Sequence, residues 1–172
     1  MKIAVVGMGK IGLPLATQYA AKGHQVTGVD INPHTVTAIN SGKEPFPGEA
    51  HLGEYLAKLV PAGQLRATTD YAEAIPGADA VVIVVPLFVN DQTWEPDLTI
   101  MDAATTSVGE NLTAGTLVSY ETTLPVGTTR HRFQPMLEKL SGLHESQDFW
   151  MVFSPEPVSY THLRAHETRH DL

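Results

Sequence analysis

The sequence predicts an α/β fold in which a parallel sheet carries helices on both faces. Apolar segments of strand length alternate with segments of helical periodicity from Lys2 to about Phe153, as in repeated βαβ units. The segment 80–85 is apolar throughout, as a central parallel strand buried on both faces should be. A glycine-rich turn follows the first strand and opens the first helix. Together these features predict a Rossmann-like, doubly wound sheet.

The composition is typical of one globular domain. The chain has 172 residues, of which 42% are hydrophobic and 17% charged, and no apolar run is long enough to cross a membrane. Met1 and Lys2 lead directly into a strand rather than a signal peptide, so we expect a cytoplasmic location and no membrane partner. The net charge of −8 argues against nucleic acid as a partner. Because the sequence contains no cysteine, we expect no disulfide and no thiolate metal site.

The first turn has the spacing of a dinucleotide-binding loop. A strand ends at Gly7, and Gly7-x-Gly9-x-x-Gly12 then opens a helical pattern. In this context Gly7 permits a sharp turn, Gly9 permits close approach of a pyrophosphate, and Gly12 lets the helix pack against the sheet. The N–H groups of the first helical turn, together with Lys10 and Ile11, would then face the phosphates.

A carboxylate ends the second predicted strand. The strand 25–29 is followed by Asp30, where an acid accepts hydrogen bonds from both hydroxyls of an adenine ribose. This acid would repel the 2′-phosphate of NADP, and no Arg or Lys lies in 31–39 to compensate. The alternative role for Asp30 is a helix cap before Asn32-Pro33. Because strand, glycines, helix, strand and acid occur in this order, we favour the cofactor interpretation and predict NAD rather than NADP.

The remaining elements follow from periodicity and from the positions of proline and glycine. Helices are predicted at 33–40, 52–60, 71–75, 98–111 and up to about 140, and strands at 65–68, 80–85, 115–120 and 149–153. Segments 44–49 and 87–97 are predicted loops. Asp70 is the predicted N-cap of the helix that begins at Tyr71.

Four predicted strand ends carry residues suited to a ligand site. They are Gly7–Gly12, Val85–Pro86, Glu121–Thr123 and Ser154–Glu156. Ligands of an open parallel sheet bind beyond the carboxyl ends of its strands, so we expect these segments to meet at one edge. Helix capping is an alternative role for Thr122, Thr123 and Thr128, and a solvated loop acid is the alternative for Glu156.

These segments resemble motifs of a known enzyme family. Gly7–Pro14 is similar to its GxGxxGLP, Val84–Pro86 to its strand end before the cofactor loop, Thr122–Thr128 to its S-T-x-P-x-G-T, and Ser154–Glu156 to its S-P-E-R. Residues 1–156 thus resemble the N-terminal NAD-binding domain of the nucleotide-sugar 6-dehydrogenases, the UDP-glucose/GDP-mannose dehydrogenase family. The Ser-Pro-Glu form favours the branch that acts on UDP-N-acetylglucosamine or UDP-N-acetylmannosamine.

The resemblance implies a truncated N-terminal domain of a larger enzyme of polysaccharide biosynthesis. That family oxidises the C6 alcohol of a UDP-sugar to a carboxylate in two hydride transfers to NAD. By resemblance, Thr123 would help hold a catalytic water or alkoxide, Glu156 would serve acid–base or hydrolytic steps, and Val85, Pro86, Thr122 and Thr123 would contact the cofactor. The family's nucleophilic cysteine, its lysine and asparagine helpers and its sugar-nucleotide domain belong beyond residue 160. We therefore expect this chain to bind NAD without turnover, and its parent to be a homodimer or larger.

The end of the chain breaks the βα rhythm. His162, His166 and His170 have the spacing of a metal-binding helix face, and a solvated terminus is the plainer alternative. A third interpretation accounts for more residues, because Val158–Thr168 resembles, residue for residue, the translation of a common sequencing-library adapter. We therefore predict an NAD-binding domain over residues 1–157 and a non-native tail over residues 158–172, to which we assign no metal site.

Two other functions are compatible with the opening fold. One is a 3-hydroxyacid or 6-phosphogluconate type dehydrogenase, which the Thr122–Thr128 and Ser154–Glu156 segments disfavour. The other is a non-catalytic NAD-binding or sensing module. All of these interpretations predict NAD binding, so binding alone does not separate them.

Overall fold

The computed structural model describes residues 1–155 and confirms the predicted α/β fold. Its strands are β1 (Lys2–Val6), β2 (Gln25–Val29), β3 (Leu65–Thr68), β4 (Ala80–Ile83), β5 (Phe88–Val89), β6 (Pro96–Asp97), β7 (Leu117–Tyr120) and β8 (Trp150–Phe153). Its α-helices are α1 (Gly12–Ala21), α2 (Pro33–Asn40), α3 (Leu52–Leu59), α4 (Tyr71–Ala74), α5 (Thr99–Asn111) and α6 (Gln134–Ser141).

The main sheet is parallel, six-stranded and doubly wound. Its strand order is β3-β2-β1-β4-β7-β8, while β5 and β6 pair in a separate antiparallel hairpin. The chain builds outward from β1 to β3, returns to place β4 on the free side of β1, and then builds outward through β7 to β8. The reversal between β1 and β4 is the point at which ligands of such sheets bind, beyond the carboxyl ends of the strands.

The two faces of the sheet bury separate apolar cores. Side chains alternate along β4, so Val82 lies in one core and Val81 in the other. We call the Val82 side face A, and its core includes Leu13 of α1. We call the Val81 side face B, and its core includes Met101 of α5 and Leu137 of α6. Every residue of β4 is buried, as expected for the central strand.

The segment 87–97, predicted as a loop, contains the β5–β6 hairpin. Asn90 closes the hairpin, because its side-chain Oδ1 accepts the N–H groups of Gln92 (2.9 Å) and Thr93 (3.1 Å). Trp94 follows with a left-handed φ of 58°. Hairpins are usually signalled by Asn-Gly or Asp-Gly turns, and this turn is held by an asparagine side chain without glycine.

The helix predicted to end near residue 140 begins with a π-helical turn, Thr129–Phe133. The ring of Phe133 stacks on that of Tyr120, with 4.8 Å between the ring centroids. Arg132 donates two hydrogen bonds to the carboxylate of Asp102 in α5, at 2.7 and 2.6 Å. These contacts with distant residues stabilise the π-helical turn, so local helix propensity does not predict it.

Two further observations bear on possible partners. None of the helices in residues 1–155 has the length and apolar character needed to cross a bilayer. The same part of the chain contains no cluster of three or more side chains able to hold a metal ion. The histidines of the predicted tail lie outside the described residues.

Candidate functional site

The carboxyl ends of β1, β4, β7 and β8 lie side by side, which brings the predicted site segments to one edge of the sheet. Backbone hydrogen bonds continue past the strands at this edge: Val84 N–H donates to Val6 O (2.8 Å), and Ser154 N–H donates to Tyr120 O (2.9 Å). Glu156 lies outside the described residues, so its predicted catalytic role stays a prediction.

The glycine turn after β1 is formed by a close approach of two backbone segments. Gly7 adopts a φ of +95°, which L side chains rarely adopt. A Cβ on Gly12 would overlap the carbonyl oxygen of Gly7, so only glycine lets α1 begin here. This contact fixes the start of α1 directly beyond the end of β1.

The N-terminus of α1 is open toward solvent. No side chain caps Ile11, the N-cap residue, and the first turn of α1 carries no acidic residue. Lys10 and Ile11 are exposed, and a Cβ built on Gly9 would find no heavy atom within 4 Å. The N–H groups and the positive end of the helix dipole therefore point to a space that can accept an anion such as a pyrophosphate.

Asp30 is held in place by the backbone on both sides. Its Oδ2 accepts the N–H of Met8 (2.9 Å), and its Oδ1 accepts the N–H of Asn32 (2.8 Å). The N-cap of α2 is Asn32, whose side chain accepts the N–H of His34, so the alternative role of Asp30 as the helix cap is wrong. A fixed carboxylate beside the glycine turn fits the ribose contact predicted from the sequence.

A groove of about 470 Å³ extends from the glycine turn along α5. Gly9 and Asp30 form one end of the groove, and its other lining residues are largely apolar, including Tyr71, Ile100 and Ala103. Burial, and to a lesser degree the negative charge of Asp30, raises the pKa of Tyr71. The Tyr71 hydroxyl therefore stays protonated at neutral pH. An apolar groove that ends at a carboxylate suits an adenosine group.

Tyr71 and the α5 residues were not predicted from the sequence as part of the site. A signal for Tyr71 was present, because the N-cap Asp70 predicts that Tyr71 begins a helix at the carboxyl edge of β3. The structure confirms that cap, since Asp70 Oδ1 accepts the N–H of Ala72 (2.8 Å). No local signal predicts that α5 packs alongside, since that contact depends on the strand order.

The loops after β4 and β7 are joined by a side chain. Thr122 Oγ1 donates to the carbonyl of Val85 at 2.6 Å, so this hydroxyl fixes a loop and does not cap a helix. Thr128 occupies the N-cap of the π-helical turn without a capping side-chain bond. Thr123 is half-buried and Pro86 is exposed. Val85, Pro86, Thr122 and Thr123 thus lie together at the ends of adjacent strands, as predicted.

The described residues fit a bound dinucleotide at three points: an uncapped helix N-terminus, a fixed carboxylate and an apolar groove. A model of the NAD binding domain of the UDP-glucose/GDP-mannose dehydrogenase family matches residues 1–168 of the sequence. The chain belongs to this family. NAD is therefore the cofactor of this UDP-glucose/GDP-mannose dehydrogenase domain, which agrees with the choice of NAD predicted from Asp30.

Two curated relatives indicate how much of such a protein the chain represents. It is 38% identical over 160 residues to the UDP-N-acetyl-D-mannosamine dehydrogenase of Pyrococcus horikoshii, which is 92% of this chain and 37% of the relative. It is 34% identical over 159 residues to the UDP-N-acetyl-D-glucosamine 6-dehydrogenase of Pseudomonas aeruginosa, which is 92% of this chain and 36% of the relative. The chain thus spans little more than a third of these relatives.

Solved structures give the same result. A ternary complex of GDP-mannose dehydrogenase from Pseudomonas aeruginosa matches with a TM-score of 0.85 and 28% identity, over 91% of this chain and 36% of that one. UDP-D-ManNAc dehydrogenase from Pyrococcus horikoshii matches with a TM-score of 0.84 and 35% identity, over 92% of this chain and 37% of that one. The fold of this domain is therefore that of the NAD-binding part of the family.

Proposed function

We propose that the chain is the NAD-binding part of a nucleotide-sugar 6-dehydrogenase, which oxidises the C6 alcohol of a UDP-sugar to a uronate in two hydride transfers. The observation that carries this proposal is that the carboxyl ends of the strands meet at one edge of the sheet. The glycine turn and the anchored Asp30 lie on one side of this edge, and Thr122 and Thr123 lie on the other. The family match supports the choice over a 3-hydroxyacid or 6-phosphogluconate type dehydrogenase.

In this proposal, different residues at the carboxyl edge of the sheet bind different parts of the cofactor. NAD, when bound, supplies the hydride acceptor. The N-terminus of α1 binds the pyrophosphate, with Gly9 leaving room for it and Lys10 and Ile11 beside it. Asp30 accepts the ribose hydroxyls, and Tyr71 borders the adenine groove. These contacts orient the cofactor along the edge, so that its nicotinamide end lies toward β4 and β7.

The reacting end of the proposed site lies at the loops after β4, β7 and β8. Thr122 fixes the loop that contains Val85 and Pro86, which can then form the wall of the nicotinamide site. No hydrogen bond within residues 1–155 occupies the Thr123 hydroxyl, which leaves it able to hold a water or the substrate oxygen. Glu156 is the proposed acid–base group of the hydrolytic step.

The proposed substrate is a UDP-N-acetylhexosamine, with UDP-N-acetylmannosamine first. This choice follows the relatives named UDP-N-acetyl-D-mannosamine dehydrogenase, which are 38% and 39% identical, against 33–34% for those named UDP-N-acetyl-D-glucosamine 6-dehydrogenase. The Ser154–Glu156 segment supports the same branch. We also propose that the parent is a cytoplasmic homodimer or larger assembly that forms sugars for surface polysaccharides.

The 172-residue chain itself is proposed to bind NAD without turnover. The family's thiohemiacetal intermediate needs a cysteine, and this sequence has none. A second candidate function is a non-catalytic NAD-binding module. The two differ in whether the source gene continues from residue 157 into a longer frame that contains a cysteine.

The experiment is to sequence the source DNA across codon 157 and to express whatever reading frame it encodes. We expect a longer chain that forms two NADH per UDP-sugar oxidised, fastest with UDP-N-acetylmannosamine among a panel that includes UDP-N-acetylglucosamine and GDP-mannose. Thr123→Ala in that chain should lower kcat by a larger factor than it lowers NAD affinity. A gene that encodes Val158–Leu172 and then stops would overturn the enzyme proposal and leave the binding module.

A further inference from the structure

Burial decreases steadily along face A from the centre of the sheet to its β8 edge. The strand register places one residue of each strand in a row across this face: Val5 of β1, Val82 of β4, Ser119 of β7 and Val152 of β8. Their exposed fractions are 0%, 4%, 7% and 41%. The neighbouring row ends at Trp150 of β8, which is 47% exposed. Large apolar side chains at the end of both rows are therefore open to solvent.

Face B of the same two strands is covered over most of its length. Val118 and Tyr120 of β7 are fully buried there, beneath α5 and the turn that leads into α6. Met151 of β8 packs against this core. Phe153, the last residue of β8, also lies on this face and is 43% exposed, so the cover of face B ends before the carboxyl end of the strand. On face A, both side chains that β8 presents, Trp150 and Val152, are exposed.

The order of the helices accounts for the difference. Helix α1 packs on β1, β2 and β3, and α3 packs on α1, so the helices of face A lie over the first half of the sheet. The helices that connect β4, β7 and β8 lie on face B. A doubly wound sheet thus leaves face A of its second half to be covered by chain from elsewhere.

One acidic group marks the border of this open surface. Glu121 follows β7 on the same face as Ser119, whose hydroxyl donates to Glu121 Oε1 at 2.6 Å. The charge of Glu121 reaches Tyr19 of α1, where it adds to the effect of burial in raising the pKa of that tyrosine. A segment that covers the surface must therefore be apolar against Trp150 and Val152 and offer a cation or N–H donor to Glu121.

We propose that face A of β7 and β8, with Trp150 and Val152 at its centre and Glu121 at its border, is the docking surface for the segment that follows residue 157 in the parent protein. The inference rests on the proposed function, which makes this chain part of a longer one. The relatives are long enough to supply the cover, since this chain spans only 36–37% of their length. The docked segment is expected to present an apolar face with a basic side chain.

The two tryptophans of the sequence provide the test. Trp94→Phe leaves Trp150 as the reporter of face A, and Trp150→Phe leaves Trp94, which is 81% exposed on the β5–β6 hairpin, as the matched control. Each variant is made in the 172-residue chain and in the longer chain expressed from the source gene, in which every tryptophan after residue 157 is replaced by phenylalanine. Acrylamide quenching of fluorescence is then measured for each at several protein concentrations, and turnover of the longer chain is measured in parallel.

We expect the quenching constant of Trp150 to fall about threefold or more in the longer chain and its emission to shift to the blue, as an indole does when it is buried. In the 172-residue chain the quenching constant should not depend on concentration. The Trp94 reporter shows whether access of acrylamide has changed on the whole molecule, so the fall in the quenching constant of Trp150 is taken relative to that of Trp94.

Equal quenching of Trp150 in the two chains would overturn the inference. Quenching that falls with concentration in the short chain would also overturn it, because the occupant would then be a second copy. Turnover of the longer chain with Trp150 still exposed removes the docking surface but leaves the proposed function intact. Burial of Trp150 in a longer chain that shows no turnover would support the docking surface and overturn the proposed function.

Discussion

The β1–β2 end and the β7–β8 end of the sheet have the same βαβ architecture, but they differ in how many of their site residues and apolar side chains find partners within the described residues. At the β1–β2 end, the glycine turn, Asp30 and the first helix are fixed by bonds within the first 32 residues. At the β7–β8 end, the Thr123 hydroxyl has no hydrogen-bond partner among residues 1–155, Glu156 lies beyond those residues, and Trp150 and Val152 are exposed. The comparison indicates that the contacts of the proposed cofactor site lie within the described residues, whereas the proposed reacting site includes Glu156, which lies outside them.

The largest expected effect comes from Gly12→Ala. Because the new Cβ would overlap the Gly7 carbonyl, the backbone must shift, and we expect the free energy of unfolding to fall by about 3 kcal/mol or more. Urea unfolding followed by circular dichroism measures this loss. An unchanged urea midpoint would show that the turn has more freedom than the structure indicates, and the β1–β2 end would then not be rigid.

Gly9→Ala tests whether the same turn binds phosphate. Its Cβ meets no protein atom within 4 Å, so we expect stability to change by less than about 1 kcal/mol. NAD affinity should fall by about 10–100-fold, since the methyl group occupies the space assigned to the pyrophosphate. Isothermal titration calorimetry with NAD measures the affinity. Unchanged affinity would mean that the dinucleotide does not pass over Gly9.

Asp30→Asn is expected to have a smaller effect on NAD and a measurable effect on the fold. The amide keeps one acceptor for the N–H groups of Met8 and Asn32 but loses the charge, so we expect a stability loss of about 1 kcal/mol and an affinity loss of about tenfold. Calorimetry on the folded variant is compared with its denaturation curve. A variant that unfolds more readily yet binds NAD with full affinity would make Asp30 a structural residue only.

The smallest effect is a pH dependence shared by the two halves. Burial raises the pKa of Tyr71 in the cofactor half and of Tyr120 in β7, so above about pH 10 the unfolded state releases protons that the folded state keeps. Stability is therefore constant just below that pH and falls above it, by at most about 1.4 kcal/mol per pH unit for each group. Urea midpoints between pH 8 and 11 measure the fall.

Tyr120→Phe is the control for that profile. It should reduce the loss of stability that occurs above about pH 10. At neutral pH it should lower the free energy of unfolding by about 1–2 kcal/mol, because the buried Thr105 hydroxyl loses its partner at 3.0 Å. The double variant Thr105→Val with Tyr120→Phe should recover part of that loss. An alkaline fall of unchanged slope in Tyr120→Phe would place the responsible group elsewhere.

Sequence patterns predicted the strands, most helices and the cofactor loop because these depend on local chemistry. The alternation of elements, the glycine spacing and the N-cap at Asp70 each act over a few residues. The hairpin with Trp94 and the π-helical turn with Arg132 were missed, because the first lacks a glycine turn and the second depends on Asp102 and Tyr120 from distant elements. Tyr71 was missed as a site residue because it joins Asp30 only through the pairing of β2 with β3.

The order of residues along this chain was enough to predict a doubly wound sheet, NAD as the cofactor and the family to which the chain belongs. Each of these follows from segments short enough to have a local signature. The tertiary structure alone decided which strand ends meet, that Thr122 fixes the Val85 loop, and that face A of β7 and β8 is left open. The reason is the crossover between β1 and β4, which places helices from separate parts of the chain on opposite faces.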